Sequence, residues 1–297
     1  MLLSGILTKT KLLTIVESIL WNGYCFRLAE FYLGGIEAMR PQPKKPIRAR
    51  QQLLGGPLPL VCIPLVGKSA DVILGEARNV PAIAPDAIEL RIDAWDFVED
   101  VPKTVSMIEN VRRTVGDIPV ILTCRGDWEG GFRKVSDESK FAVYERAVTA
   151  GLVDFIDVEL VYGDRKIREI RDSLKDTGTS LIVSAHDFAK TPTKEVLFST
   201  LAAQIRAGAD VAKLAAMPRS EEDVLNLLSA TLSIRREHPD VPLITMSMGE
   251  LGAVSRITGG LFGSDLTFAV GSNASAPGQI PVSDLRRCLA VVYPVPK

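Results

Sequence analysis

Short apolar runs that are rich in β-branched residues recur along the chain from residue 60 onward. Each run is typical of a buried strand, and the amphipathic segments between the runs predict helices, for example one from Ser136 and others over 193–207, 220–236 and 281–291. Strands that alternate with helices over roughly 240 residues predict a (β/α)8 TIM barrel. The eight predicted strands span residues 60–66, 87–93, 119–125, 155–160, 180–188, 211–217, 243–249 and 266–271.

A doubly wound open sheet is the alternative arrangement for the same alternation of strands and helices. That fold places a glycine-rich turn of the GxGxxG type directly after its first strand. The first strand here is followed by Gly67, Lys68, Ser69 and Ala70, which do not form such a turn. The barrel is therefore the favoured architecture.

Residues 1–57 differ from the rest of the chain. The stretch 12–39 is apolar, but charged residues interrupt it, which argues against a membrane span. It also lacks a basic n-region with a small-residue cleavage site, which argues against a secretory signal. Its loose helical periodicity predicts an N-terminal helical arm, and the proline-rich residues 41–46 predict an extended linker. Upstream sequence ahead of a wrongly chosen start is the alternative. We therefore divide the chain into an arm with linker (1–57) and a barrel domain (58–297), and expect the chain from about residue 56 to fold alone.

The composition is that of an ordinary soluble protein, with 46% hydrophobic and 24% charged residues. A net charge of −1 gives no indication of a nucleic acid or of an anionic membrane as a partner. Four scattered cysteines without a CxxC spacing favour a reducing cytoplasm, and two histidines leave little material for a metal site. No metal and no cofactor are predicted.

One lysine, Lys213, lies in the middle of the sixth apolar run. Val211, Lys213 and Ala215 share one face, because side chains alternate along a strand. Burying an ammonium group is costly, so such a lysine is usually paired, neutral or functional. A neutral amine is suited to a Schiff base with a ketone or an aldehyde. The alternative is a lysine at a strand end that reaches solvent.

Charged residues end five consecutive predicted strands, and the carboxyl ends of barrel strands meet at one mouth. Taken singly, a Glu-x-Arg pair can be a structural ion pair and a strand histidine can be a satisfied core residue. Five such strands together favour a functional site. The residues concerned are Glu89, Arg91 and Asp93; Arg125, with Glu129 shortly after it; Asp157 and Glu159; His186; and Lys213.

Two further features follow the last two strands. Arg256 is a ready bidentate partner for a carboxylate or a phosphate, although a surface ion pair would explain it as well. The residues 271–279 are rich in Gly, Ser and Pro, which predicts a mobile loop over the mouth rather than only an ordinary turn.

Taken together and in this order, these motifs closely resemble type I 3-dehydroquinate dehydratase, the Schiff-base dehydratase of the shikimate pathway. The resemblance runs from about residue 60 to the C-terminus. Some members have a substrate-contacting serine near the position of Pro64, which puts that contact in doubt. The matching segments are 89–91, 124–125 with 129–131, 184–188, 212–213, 246–249, 255–256 and 275–279.

The resemblance implies a hydro-lyase without a cofactor, acting on 3-dehydroquinate in aromatic amino acid biosynthesis. Lys213 would form the imine with the C3 ketone, His186 would be the general acid and base, and Glu129 would orient His186. A homodimer is a further expectation, since dimers are common in that family. The implied substrate-binding residues are Glu89, Arg91 and Arg125 for the ring hydroxyls, Arg256 for the C1 carboxylate, and Ser275 and Gln279 from the lid.

The chemistry of the residues agrees with that function, because a protonated imine is the electron sink that loss of water β to a ketone requires. The lysine must be neutral when it attacks, and we expect apolar walls together with Arg91, Arg125 and Arg256 to lower its pKa. One alternative is a class I aldolase-like barrel that acts on a phosphosugar, with 271–278 as a phosphate cradle. A second is a non-enzymatic barrel, which would tolerate loss of Lys213 or His186.

Overall fold

Eight strands alternate with eight helices in the part of the chain that the computed structural model describes, residues 40–271 and 275–294. All eight predicted strands form, as β3–β10. The strands are β1 (Ile47–Ala49), β2 (Gln52–Leu54), β3 (Leu60–Leu65), β4 (Ala87–Arg91), β5 (Val120–Thr123), β6 (Phe155–Glu159), β7 (Ser180–Asp187), β8 (Val211–Ala216), β9 (Leu243–Ser247), β10 (Leu266–Val270) and β11 (Ile280–Pro281). The helices are α1 (Ala70–Ile83), α2 (Val101–Val115), α3 (Asp137–Thr149), α4 (Gly163–Ser173), α5 (Lys194–Ala207), α6 (Glu221–Glu237), α7 (Ala253–Thr258) and α8 (Val282–Val292).

Helix starts follow the capping signals in the sequence. The side chain of Ser136 accepts a hydrogen bond from the backbone N–H of Ser139 at the start of α3, and Ser220 does the same for Asp223 at the start of α6. Both caps satisfy a donor that a helix terminus leaves unpaired. None of the described helices is both long enough and apolar enough to cross a membrane.

Strands β3–β10 form one parallel sheet that closes into a barrel. Strand β3 pairs with β4, each later strand pairs with the next as far as β9, and β10 pairs with β3. The two remaining edges, β9 and β10, are joined by Asp265, which directly precedes β10, and Leu243, the first residue of β9. The N–H of Asp265 donates to the carbonyl of Leu243 over 2.6 Å, and its Oδ2 accepts from the N–H of Leu243 over 2.7 Å. The predicted TIM barrel is therefore confirmed.

Alternation along the strands divides the core into two layers. One layer lies between the sheet and the helices, and the other fills the lower half of the barrel. Fully burying an aliphatic or phenyl side chain contributes about 1.5–3 kcal/mol, so the inner layer is a firm base for the charged residues above it. This base includes Ile121, Phe155, Ile182, Ile244 and Leu266.

An antiparallel hairpin, β1–β2, closes the lower end of the barrel, and we call it the barrel floor. Its residues Ala49 and Leu54 are buried against the inner layer. Just before it, the buried side chain of Arg40 pairs with Asp265 and donates to the carbonyl of Gly56. This hairpin stands where an arm and linker were expected. The helical part of the predicted arm, residues 1–39, lies outside the described residues, so the division into arm and barrel stays a prediction.

Candidate active site

A cavity opens at the carboxyl ends of the barrel strands. Every residue to which the sequence analysis gave a catalytic or substrate-binding role lines it, so strands β4, β7 and β8, helix α7 and the loops after β5 and β10 bring their side chains together. Those residues are Glu89, Arg91, Arg125, Glu129, His186, Lys213, Arg256, Ser275 and Gln279. Pro64 does not line this cavity; it lies on β3 beside Glu89 in the strand register.

Lys213 is buried in the middle of β8 and is held by two carboxylates. Its Nζ lies 2.8 Å from Asp157 Oδ2 and 3.0 Å from Glu89 Oε1, and 4.8 Å from the centre of the Phe268 ring. Burial by itself lowers the pKa of Lys213, but the charges of Asp157 and Glu89 outweigh burial and raise it. The expectation of a lowered pKa is therefore wrong for the free site, where Lys213 is an ammonium ion.

A second cation, Arg125, shares Asp157 with Lys213. Its Nη2 lies 2.8 Å from Asp157 Oδ2, and its Nη1 lies 2.9 Å from Glu159 Oε1 and 2.8 Å from Ser184 Oγ. Burial raises the pKa of Asp157, but Arg125 and Lys213 outweigh burial and hold it well below the usual range. The result is a buried layer of alternating charges in which the fork of Arg125 is already occupied.

The His186 imidazole on β7 is paired with Glu129. Its Nδ1 lies 2.8 Å from Glu129 Oε2. Burial, reinforced by the positive charges of Arg125 and Lys213, lowers the pKa of His186 well below 6.5, so the ring is neutral near pH 7. Burial also raises the pKa of Glu129 to about 7. The pair can therefore take up and return one proton, which is what a general acid and base must do.

Glu129 comes from a short 3₁₀ turn, 127–129, whose loop is fastened by Asp93. That buried carboxylate accepts from the backbone N–H groups of Arg125 (3.1 Å) and Phe132 (3.0 Å), and it also pairs with the Arg91 side chain on β4. Gly130 follows Glu129 with φ +82°, and a Cβ there would collide with the Phe188 ring. The glycine lets the loop lie close enough to β7 for Glu129 to reach His186.

Arg256, at the other side of the cavity, is a buried cation without an acid. Its Nη2 donates to the carbonyl of Pro277 (3.0 Å), its Nη1 donates to that of Phe268 (3.3 Å), and Nε has no partner within the described residues. Burial lowers its pKa to about 10. No ion pair joins Arg256 to any acid of the described ranges, so it is available to an anion that enters the cavity.

The loop after β10 covers the cavity from above. Ser275 and Gln279 join across it: the Ser275 N–H donates to Gln279 Oε1 (3.0 Å), and Gln279 Nε2 donates to Ser275 Oγ (3.2 Å). The N–H of Gly249, after β9, donates to the carbonyl of Pro277 and anchors the loop. Residues 272–274 lie outside the described residues.

Several residues of the site were missed by sequence reasoning. Asp157 was recognised as a strand-end charge but was given no role, although its alternation with Glu159 directs both to the interior. Phe268 also lines the cavity, and as an apolar residue of an apolar run it carried no signal; Met246 and Met248, which belong to the matching segment 246–249, line it too but were given no role. In the described ranges, no three His, Cys, Asp or Glu residues are grouped so that they could hold a metal ion.

Comparison with known proteins matches this geometry to one family. The model of the type I 3-dehydroquinase family matches residues 61–295. The curated 3-dehydroquinate dehydratases of Geobacillus thermodenitrificans and Klebsiella pneumoniae (strain 342) are both 42% identical to the chain. The first aligns over 250 residues, 84% of this chain and 96% of the relative. The second aligns over 233 residues, 78% and 93%.

Solved structures give the same result. A 3-dehydroquinate dehydratase from Geobacillus kaustophilus superposes with a TM-score of 0.82 at 41% identity, covering 84% of this chain and 97% of that one. A type I enzyme from Clostridium difficile, solved with covalently modified comenic acid, gives 0.80 at 37% identity and covers 84% and 98%. The chain therefore belongs to the type I 3-dehydroquinase family.

Proposed function

We propose that this protein is a 3-dehydroquinate dehydratase, a hydro-lyase that converts 3-dehydroquinate to 3-dehydroshikimate through a Schiff base on Lys213. One observation carries the proposal. A single cavity is lined by a buried lysine, a histidine–carboxylate pair and a buried arginine that has no acid partner among the described residues. These are the groups that a keto acid needs for imine formation, proton transfer and carboxylate recognition.

Formation of the imine begins with the removal of a proton from the Lys213 ammonium. The neutral imidazole of His186 is the acceptor for that proton. In the β7–β8 register Ser184 is opposite Lys213 and His186 is opposite Ala215. His186 is thus one pleat, about 6.6 Å along the strand, nearer the mouth. A ketone bound between the two side chains is attacked by the free amine of Lys213, and the resulting carbinolamine loses water to give the protonated imine.

Dehydration follows from the charge on the imine nitrogen. His186 removes the C2 proton, and the electron pair of the C2–H bond moves toward the nitrogen to give an enamine. The pair then returns to form the C1–C2 double bond while the C1 hydroxyl leaves, taking a proton from His186 as water. Glu129 holds the imidazole at its Nδ1 and shares the proton it gains. One C–H and one C–O bond are broken and nothing is oxidised.

Recognition of the substrate is divided between the two sides of the cavity. The unpaired guanidinium of Arg256 binds the C1 carboxylate, and Ser275 and Gln279 complete the pocket from the lid. Glu89, Arg91 and Arg125 hold the ring hydroxyls. In the free site Arg91 is paired with Asp93 over the Phe132 ring, and Arg125 is occupied by its acids, so both are prevented from moving.

The test is incubation of the full chain with 3-dehydroquinate while the ultraviolet absorbance of the conjugated enone product is followed. Wild type should produce the enone, and Lys213→Met should not. A five- or six-carbon phosphosugar in the same assay should give no cleavage. Absence of enone from folded wild type would overturn the proposal.

A homodimer and a cytoplasmic location are further parts of the proposal, together with a place in aromatic amino acid biosynthesis. The family membership supports the pathway and the dimer, and the net charge of −1 supports a small-molecule partner rather than a nucleic acid. Light scattering at several protein concentrations tests the dimer, and a single mass of 32.3 kDa would contradict it.

A further inference from the structure

The two carboxylates that hold Lys213 differ in one respect. Glu89 lines the cavity, whereas Asp157 does not and has no exposed surface. Asp157 is fixed from three sides: its Oδ1 accepts from Ser184 Oγ, and its Oδ2 accepts from Arg125 and from Lys213, each over 2.8 Å. A substrate can therefore reach Glu89 with its own hydroxyl groups, but it cannot reach Asp157.

The number of N–H bonds on the nitrogen changes during the reaction. An ammonium group has three protons and can donate to both carboxylates, as Lys213 does here. A protonated imine has one N–H and can donate to only one of them. Glu89 has other donors available, since Thr123 Oγ1 already donates to its Oε1 over 3.0 Å and the cavity is open to it. Asp157 is sealed from water and keeps its position.

We propose that Asp157 is a further catalytic residue, the fixed counter-ion that keeps the Lys213 nitrogen charged both as the ammonium ion and as the protonated imine. The inference rests on the proposed function. With Asp157 in place, the imine retains its proton and draws the electron pair of the C2–H bond when His186 removes the C2 proton. A neutral imine would not draw that pair as strongly, because it lacks the positive charge.

Among the groups that face the Lys213 nitrogen, Asp157 is the one that determines whether this nitrogen stays charged. Glu89 faces it from β4, and the thiol of Cys62 lies nearby on β3. The charges of Arg125, just after β5, and the imidazole of His186, on β7, act on the same group. β10 contributes only the Phe268 ring. Without Asp157 the positive charge of Arg125 would lose one acid partner and would repel the proton on the imine.

The experiment compares Asp157→Asn with the matched variant Glu89→Gln. Each variant replaces one of the two carboxylates beside the Lys213 nitrogen with an uncharged amide of nearly the same shape. Turnover of 3-dehydroquinate is measured from pH 6.5 to 10, with borohydride trapping of the Lys213 adduct and the melting temperature of each variant. Loss of a charge-assisted hydrogen bond predicts that Asp157→Asn lowers kcat by about 10- to 150-fold at pH 8. Its KM should stay within about two-fold, because Asp157 does not contact the substrate.

The pH dependence separates this role from a structural one. We expect kcat of Asp157→Asn, and the trapped fraction, to decline as pH rises, because the imine loses its proton inside the measured range. From pH 8 upward, where Glu129 is already ionised, the profiles of wild type and Glu89→Gln should stay level. Glu159→Gln, which removes the other acid of Arg125 but touches no part of Lys213, should lower the melting temperature and leave the shape of the profile unchanged.

Two results would overturn the inference. One is a folded Asp157→Asn enzyme whose kcat is reduced but level with pH. The other is a decline with rising pH in Glu89→Gln, which would make Glu89 the counter-ion. If Asp157→Asn does not fold, the Glu89→Gln profile alone shows which carboxylate is the counter-ion. A decline with rising pH then identifies Glu89, and a level profile supports Asp157. Failure of the proposed function is recognised separately, because wild type would then form neither enone nor adduct.

Discussion

Replacement of Arg256 tests the carboxylate clamp, and the structure sets the magnitude. The guanidinium is buried, donates to two carbonyl groups and has no acid partner among residues 40–271 and 275–294. Burial lowers its pKa from the ordinary value of an arginine to about 10. That lowering corresponds to about 3 kcal/mol of unfavourable burial, at 1.36 kcal/mol for each pH unit. A carboxylate that binds Arg256 regains part of this free energy.

We expect Arg256→Met to raise KM for 3-dehydroquinate by about 10- to 150-fold, the equivalent of a charge-assisted hydrogen bond of about 1.5–3 kcal/mol. It should also lower kcat, because a tilted ring brings C2 to the wrong position relative to His186. Arg256→Lys keeps the charge but loses the two parallel donors that a guanidinium holds in one fixed plane. Lysine should therefore recover only part of the loss.

Stability should change in the opposite direction. Methionine fills most of the same volume without an uncompensated charge, so the loss of two hydrogen bonds is more than offset. Arg256→Met should raise the free energy of unfolding by about 1 kcal/mol, or the melting temperature by about 2–4 °C. Steady-state kinetics and scanning calorimetry on both variants are the measurements. Wild-type kinetics for Arg256→Lys would refute the claim that two parallel donors bind the carboxylate. An unchanged KM for Arg256→Met would mean that the carboxylate binds elsewhere.

Three further results are expected. Borohydride with substrate should leave a covalent adduct on Lys213, and peptide mapping that finds it on another lysine, such as the buried Lys140, would refute the assignment. Removal of residues 1–39 should leave turnover and melting temperature unchanged. Removal of residues 1–56 takes away the barrel floor and should lower the melting temperature by several degrees or give insoluble protein. Equal stability of the two truncated chains would contradict this prediction. The His186 imidazole should titrate below pH 6.5, because burial and the charges of Arg125 and Lys213 lower its pKa, and an NMR titration of the ring with a midpoint at or above 6.5 would show that it is not shielded; a limb of kcat/KM near pH 7 would belong to Glu129, whose pKa burial raises to about 7.

The architecture could be predicted from the sequence because its signals are local. Apolar runs gave β3–β10, and the serine caps gave the starts of two helices. The barrel floor was not predicted, because its two-residue turn, Arg50–Gln51, contains neither glycine nor asparagine. Arg50 adopts φ 51° there and reaches Asp154 over 2.8 Å, a contact with a residue 104 positions away. The expectation that the chain from about residue 56 folds alone overlooked this hairpin.

The membership of the site was also predictable, since alternation and strand ends direct its residues to one cavity. The charge state of Lys213 was not. Its sequence neighbours are apolar and suggest a lowered pKa, but its partners Asp157 and Glu89 come from 56 and 124 residues away. Which carboxylate meets which cation depends on how the strands are offset around the barrel, and that offset cannot be read from any single strand.

The pairing of Arg40 with Asp265 sets the order in which the molecule can be completed. The two residues are 225 positions apart, and Asp265 also holds Arg235 and the N–H of Leu243. A chain emerging from the ribosome thus presents Arg40 long before the acid that receives it has been made. Burying an arginine without a partner is costly. The Arg40 side chain is therefore not buried against the barrel floor until Asp265, which directly precedes β10, has left the exit tunnel. Almost the whole barrel must therefore be translated before the hairpin β1–β2 can reach its final packing.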